Sequence, residues 1–309
     1  MIDPAELTRA SPRPAGPPLA EPETGQGFWR HSWSQLKANP VAMASAGLLL
    51  ALVVIALAAP LIARFVTHQS PLAQDLGHPF AAPGGQHWLG TDELGRDTLT
   101  RLVYGAQVTL GIGFLAVGFA LTVGAAVGFV AGYYGGFVDD VLMRVVDVVL
   151  AIPAIFLYIL MSILFRPNAI TLSVVIASVS WAILARLVRG EVLSLRGRDF
   201  MIATRSLGAG DLRLLLRHLV PNTLQVMIVA ASLGVGQVVL IEAALDFLGL
   251  GIQAPTPSWG NMLSNAQVYF THSVWLVVLP GAAIFVTVMA TNLFGNGLRD
   301  AFDPRLKRR

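Results

Sequence analysis

Apolar residues run in long unbroken stretches along the chain, and the polar residues gather between them. Six stretches carry no Asp, Glu, Lys or Arg: 38–63, 102–138, 148–165, 167–185, 218–241 and 247–298. The shortest, 148–165, has 18 residues, close to the roughly 20 apolar residues with which a helix crosses about 30 Å of hydrocarbon. The pattern predicts six helices, at about 42–64, 108–132, 145–165, 169–187, 223–245 and 274–294. The fold class expected is all-α, a polytopic integral membrane protein with six transmembrane helices.

Composition points the same way. Of 309 residues, 13% are charged and 55% are hydrophobic, whereas an ordinary soluble chain is about 25% charged. The mean hydropathy is +0.66. A soluble enzyme, a disordered scaffold and a nucleic-acid-binding domain are thereby excluded. The pI near 9.6 reads as basic cytoplasmic loops rather than as a nucleic-acid partner. There is no cysteine, hence no disulfide, zinc-thiolate site or thiol nucleophile.

The chain divides accordingly. Residues 1–27 hold six of the 18 prolines and are expected to form a disordered cytoplasmic tail. Without an apolar stretch there, the first span is expected to remain as an uncleaved anchor. Residues 28–66 carry that span, 67–107 form an extracytoplasmic loop, 108–294 a core of five helices, and 295–309 a cytoplasmic tail. With the N-terminus inside, 17 of the 21 Lys and Arg lie in cytoplasmic segments, so both termini are expected on that side. The four others are Arg64, Arg96, Arg101 and Arg166.

Few ionisable groups approach the spans. Arg144 and Asp147 can pair at i,i+3. Glu242 and Asp246, one turn apart at the outer end of the fifth helix, read most simply as interfacial and solvated; lining a translocation path is the sharper reading. No carboxylate falls mid-span, which speaks against an ion-driven carrier. Gly124, Gly128 and Gly132 mark a face for close helix packing. Leu279-Pro280-Gly281 is expected to kink or loosen the last helix.

The loop 186–222 is the most patterned polar stretch, with seven basic and three acidic residues. Asp199 is placed as the N-cap of a first short helix that closes at Gly208, and Asp211 as the cap of a second. In the second, Leu212, Leu215, Leu216 and Leu219 form the apolar face, opposite Arg213 and Arg217, and Pro221 ends the helix. Such an element either lies on anionic lipid or docks as a knob into a partner protein; the physics alone leaves both open. In the outer loop, Gly90 and Gly95 turn the chain and Asp97 caps a short helix through Thr100 and Arg101. The spacing of Asp92, Glu93 and Asp97 does not meet the needs of a calcium loop. The six histidines are scattered, and no nucleophile elbow is present. The only lysines, Lys37 and Lys307, follow no glycine, so the chain has no phosphate-binding loop.

Met201-Ile202-Ala203-Thr204-Arg205-Ser206-Leu207-Gly208-Ala209, followed by Val220-Pro221-Asn222, resembles the cytoplasmic "EAA" loop of ABC importer permeases. Leu89-Gly90-Thr91-Asp92-Glu93-Leu94-Gly95-Arg96-Asp97, with Arg101-Leu102 and Gly105, resembles a signature of C-type subunits in the binding-protein-dependent dipeptide/oligopeptide (and nickel) branch. Gly132-Tyr133-Tyr134-Gly135-Gly136, Phe247-Leu248-Gly249-Leu250-Gly251 with Pro257-Ser258-Trp259-Gly260, and Leu298-Arg299-Asp300 with Asp303-Pro304-Arg305 extend the likeness from about Trp29 to Leu306. The resemblance implies the type I ABC importer permease fold in a bacterial inner membrane. It implies a heterodimer with a second homologous permease, two cytoplasmic ATPases that bind the ATP and Mg, and an extracytoplasmic substrate-binding protein. It further implies inward transport of short peptides or similar solutes, with Ala203, Thr204, Arg205, Leu207, Gly208, Ala209, Asp211 and Pro221 in the ATPase-coupling loop. Gly90, Thr91, Asp92, Gly95, Arg96 and Asp97 form the family-signature outer loop. Where the family places Glu in the EAA triplet this chain has Ile202, so contacts made through that Glu do not carry over. No catalytic, cofactor-binding or metal residue is expected in this chain. The alternatives are a secondary transporter driven by an ion gradient and an intramembrane enzyme; the latter would need a nucleophile–base pair or metal cluster that the spans lack.

Overall fold

The structure, a computed structural model, describes residues 25–165 and 168–303; most of the proline-rich tail, Arg166 and the 304–309 end lie outside the described residues. The elements are α1 (Gly25–Ala38), α2 (Pro40–Leu57), α3 (Ala59–Ile62), α4 (Thr98–Tyr134), α5 (Gly136–Ala151), α6 (Ala154–Leu164), α7 (Ala169–Arg196), α8 (Asp199–Ser206), α9 (Asp211–Leu214), α10 (Val220–Phe247), α11 (Trp259–Tyr269) and α12 (Trp275–Phe302). Single π turns at Ala63–Thr67 and Leu215–Leu219 follow α3 and α9. Among the described residues only one isolated bridge, Thr91 to Asp97, pairs extended backbone.

Five helices, α2, α4, α7, α12 and the run from Asp211 to Phe247, are long and apolar enough to cross a membrane. The pair α5 and α6 passes the same test only when taken together, and is bent by 86° at its break. The one helix expected at 145–165 is thus two, broken between Ala151 and Ala154. Pro153 pushes Ile152 out of the helical region, to φ −92° and ψ 128°. α2 stays within its apolar stretch, whereas α4, α7, α10 and α12 overrun theirs, α4 beginning at Thr98 and α7 running to Arg196. Hydropathy marks the part of a helix that lipid can cover, and capping decides where the helix stops. Pro280 lies inside α12 without ending it.

The predicted glycine face finds its partner within the chain. A Cβ on Gly124 would lie 2.7 Å from the Trp181 carbonyl oxygen, and one on Gly128 2.6 Å from that of Ala185. At Gly132 it would lie 2.8 Å from the Val192 Cβ. Bare backbone on α4 thus lets α7 pack in parallel, close along most of its length. α10 runs antiparallel to α4, with Val235 over Gly113, and α12 is antiparallel to α10, with Leu233 over Gly295. The central core is Ile112, Val117, Leu172, Ile176, Val235, Val238 and Leu245. α1 packs on the inner end of α12, with Leu36 near Leu298 and Ala301.

Candidate functional site

Two polar regions lie at opposite ends of the bundle. At the outer end, Phe247-Leu248-Gly249-Leu250-Gly251 leaves α10, and the chain returns over it through Ser258 into α11. Asp246 accepts hydrogen bonds from the Ile252 amide at 2.5 Å and from the Ser258 hydroxyl. Ser258 in turn caps α11, accepting from the Asn261 amide at 3.1 Å. The Thr109 hydroxyl on α4 donates to Glu242 at 3.2 Å and accepts from the Trp259 amide at 3.2 Å. Trp259, 1% exposed, donates its indole N–H to the Leu102 carbonyl at 3.0 Å. Glu242 is 0% and Asp246 4% exposed. The expectation that both carboxyls are solvated is therefore overturned: the 248–258 return and α11 cover them. A Cβ on Gly260 would sit 2.6 Å from Asp246 Oδ2, so the backbone itself closes over the carboxyl.

The outer loop is built with equal economy. Thr91 is buried, its hydroxyl donating to the His78 carbonyl and accepting from the Ala81 amide, both at 2.8 Å. Asp92 accepts from Arg96 Nε at 2.7 Å and faces Arg101 Nε at 3.3 Å, while Glu93 accepts from Arg96 Nη2 at 2.7 Å. Arg96, 4% exposed, and Arg101, 2% exposed, are thus neutralised inside the loop. Gly95 has φ +70°, and a Cβ there would overlap the Asp75 backbone; Gly90, at φ +77°, is also a turn residue. Asp97 caps a helix as expected, accepting from the Thr100 amide at 2.7 Å, but that helix is the 37-residue α4 rather than a short one. Its other oxygen holds His87 Nδ1 at 3.0 Å. At the exposed edge, the hydrogen bond from His78 holds the Asp75 carboxyl below the usual carboxylate range.

At the inner end, α8 and α9 project as a knob. Gly208, at φ +84°, closes α8 as expected. Asp199 and Asp211 do not cap: each lies in the first turn, and Arg198 and Gly210 occupy the cap positions. Asp211 instead accepts from the Tyr133 hydroxyl at 2.6 Å. Pro221 does not end the second helix. The π turn Leu215–Leu219 leads straight into α10, with Pro221 just beyond it, where the break in the regular i→i−4 ladder accommodates a residue without an N–H. The Thr204 hydroxyl bonds within α8 to the Phe200 carbonyl at 2.7 Å, while Ala203 is exposed and Ala209 half-buried against the apolar base. The apolar stripe is also rearranged: Leu214 and Leu219 are buried, whereas Leu207 is 88%, Leu212 69% and Leu216 60% exposed. Asp147 pairs with Arg186 of α7 at 2.7 Å instead of with Arg144.

Toward that same end of the bundle, a cavity of about 580 Å³ opens among α7, α10 and α12, lined by Leu187, Gln225, Val229, Leu233, Arg299 and Phe302. Residue spacing identified the two polar regions. It missed Tyr133, Thr109, Ser258 and the cavity, which join residues far apart in the chain; only the family-like motifs around Tyr133 and Ser258 marked their neighbourhoods.

Residues 124–308 match the family described as binding-protein-dependent transport system inner membrane component, and residues 27–83 match the N-terminal transmembrane domain of oligopeptide transport permease C. A dipeptide transport system permease protein of Alkalihalophilus pseudofirmus is 40% identical over 96% of each chain. One from Bacillus subtilis is 37% identical over 91% of this chain and 87% of its own. A glutathione transport system permease protein of Escherichia coli O157:H7 is 38% identical over 94% and 95%. A chain from an inward-facing structure of the MetNI methionine ABC transporter aligns with TM-score 0.51 and 19% identity, over 66% of this chain and 97% of that one; the likeness is one of fold.

Proposed function

We propose, since the chain belongs to the family of binding-protein-dependent transport system inner membrane components, that it is the C-type permease of an importer for dipeptides or similarly short peptides. As a multi-pass permease of a bacterial ABC importer, it works with ATPase and substrate-binding partners. The cargo class follows the relatives, whose names specify dipeptides and glutathione. One observation carries the finer reading. The knob presents Leu207, Leu212 and Leu216, all more than half exposed, beside Arg213 and Arg217 at the basic end of the bundle. Exposed leucines rimmed by charge are what a protein interface buries. The knob docks into a cytoplasmic ATPase, which binds ATP and Mg; a second, homologous permease completes the heterodimer, and a binding protein delivers substrate from outside. The placement of basic residues supports an inner-membrane location with both termini cytoplasmic. The cavity among α7, α10 and α12 forms this subunit's share of the path, opened and closed by rigid-body movement of the helices.

The test is reconstitution of this chain with its co-purifying partners in liposomes. Uptake of a labelled dipeptide should require ATP and persist without any proton or sodium gradient; uptake driven by a gradient from this chain alone would establish the carrier alternative. Gly208→Pro, which cannot adopt φ +84°, or deletion of 205–212 should abolish stimulated ATP hydrolysis. Unchanged hydrolysis in both variants would refute the docking role.

A further inference from the structure

The knob touches the rest of the molecule in two physically different ways. Its base is apolar: Met201, Leu214 and Leu219 pack against Val188, Val192 and Leu195 of α7. Such contact is strong but non-directional, so by itself it permits the knob to tilt or slide on the bundle. Apart from the helical backbone that carries α9 through the π turn into α10, the hydrogen bonds that tie the knob to another helix converge, among the described residues, on a single phenol. Tyr133, in the last turn of α4 and 4% exposed, donates its hydroxyl proton to Asp211 Oδ1 of α9 at 2.6 Å. The same oxygen accepts from Arg205 Nη2 of α8 at 3.1 Å, and the Arg205 guanidinium lies 5.6 Å over the ring centroid. One hydroxyl therefore uses both its donor and its acceptor capacity to tie the two knob helices to α4.

The phenol is itself held. Arg196 Nη1 of α7 donates to the carbonyls of Tyr133 at 3.0 Å and Gly132 at 3.3 Å, satisfying the end of α4. Behind it, the glycine-lined contact makes α4 and α7 a closely packed pair. Displacement of the knob thus has a directional route into that pair.

We infer that Tyr133 is a positioning residue whose hydroxyl locks the knob to α4 and α7, so that movement of the knob becomes movement of the translocation helices. This rests on the docking role proposed for the knob and deepens it. Loss of the lock leaves the apolar base and the exposed leucines in place. The ATPases then still bind and turn over, while their motion is dissipated at the base of the knob.

Tyr133→Phe removes only the hydroxyl oxygen, and Asp211→Asn weakens the other partner without touching the ring. The importer, purified with its native partners through a tag on this chain, is reconstituted in liposomes with a labelled dipeptide. The readout is dipeptide taken up per ATP hydrolysed. Tyr133→Phe, which lies outside the docking loop, should assemble at wild-type yield and keep ATP hydrolysis within about twofold. Uptake per ATP should fall about tenfold, the scale of one charge-assisted hydrogen bond, with no further fall in the double variant. An unchanged ratio in either single variant overturns the inference. So does an equal fall in uptake and hydrolysis, which marks weakened docking. Absence of ATP-driven uptake by the wild-type importer overturns the underlying reading instead, and is seen without any substitution.

Discussion

The two polar ends of the molecule treat their side chains in opposite ways. At the outer end the buried charged groups are answered within the chain: Asp246 by Ile252 and Ser258, Arg96 by Asp92 and Glu93, Asp97 by Thr100 and His87. Gly95, Gly251 and Gly260 there leave no room for a side chain. At the inner end the helices are short, Leu207 and Leu212 face outward, and Tyr133 supplies the side-chain hydrogen bonds that hold the knob to α4. A region that closes on itself supports structure, whereas one that leaves apolar surface uncovered is completed by another molecule.

Substitutions can break that contrast, beginning with the bundle that joins the two ends. Gly128→Leu forces a side chain into the Ala185 carbonyl, 2.6 Å from the nearest Cβ position. A loss exceeding about 4 kcal/mol is expected, seen as failure to recover monodisperse protein in detergent. Arg96→Met leaves Asp92 and Glu93 buried with less compensation and should cost about 3–5 kcal/mol in detergent unfolding. Asp97→Ala removes the α4 cap and should cost about 1 kcal/mol, more if His87 is left unpaired. In the knob, Leu212→Ser with Leu216→Ser should change the unfolding midpoint of the isolated chain by less than about 0.5 kcal/mol equivalent, yet abolish ATPase co-purification. A large stability loss there would show that the knob is closed on itself like the outer end. Smallest of all, Asp75→Asn should leave the unfolding midpoint unmoved at neutral pH, because the Asp75–His78 pair is exposed. The lowered pKa of Asp75 places any contribution above the ordinary carboxylate range. It would fade as pH falls through the folded value.

Much of this was legible beforehand. Charge-free stretches located the spans because lipid excludes charge, and the positive φ values of Gly90, Gly95 and Gly208 were implied by glycine at turn positions. Helix ends were less legible. Asp199 and Asp211 look like caps, yet the residue before each takes the cap position and leaves Asp211 free to reach Tyr133. The break at Pro153 was equally open to inspection, but an apolar run without charge conceals a bend.

The sequence by itself determined that the chain spans a membrane, which side its basic residues mark, and where its tight turns fall. These follow from local costs: burying a charge, or twisting a backbone that carries a Cβ. Only the tertiary structure decided which polar groups are consumed and which remain on offer. Glu242 and Asp246 read as solvated until α11 folds over them, and Leu212 and Leu216 read as part of the apolar face with Leu219 until Leu214 takes their place beside it. Burial is a property of the neighbours that long-range folding brings, and no spacing along one helix contains it.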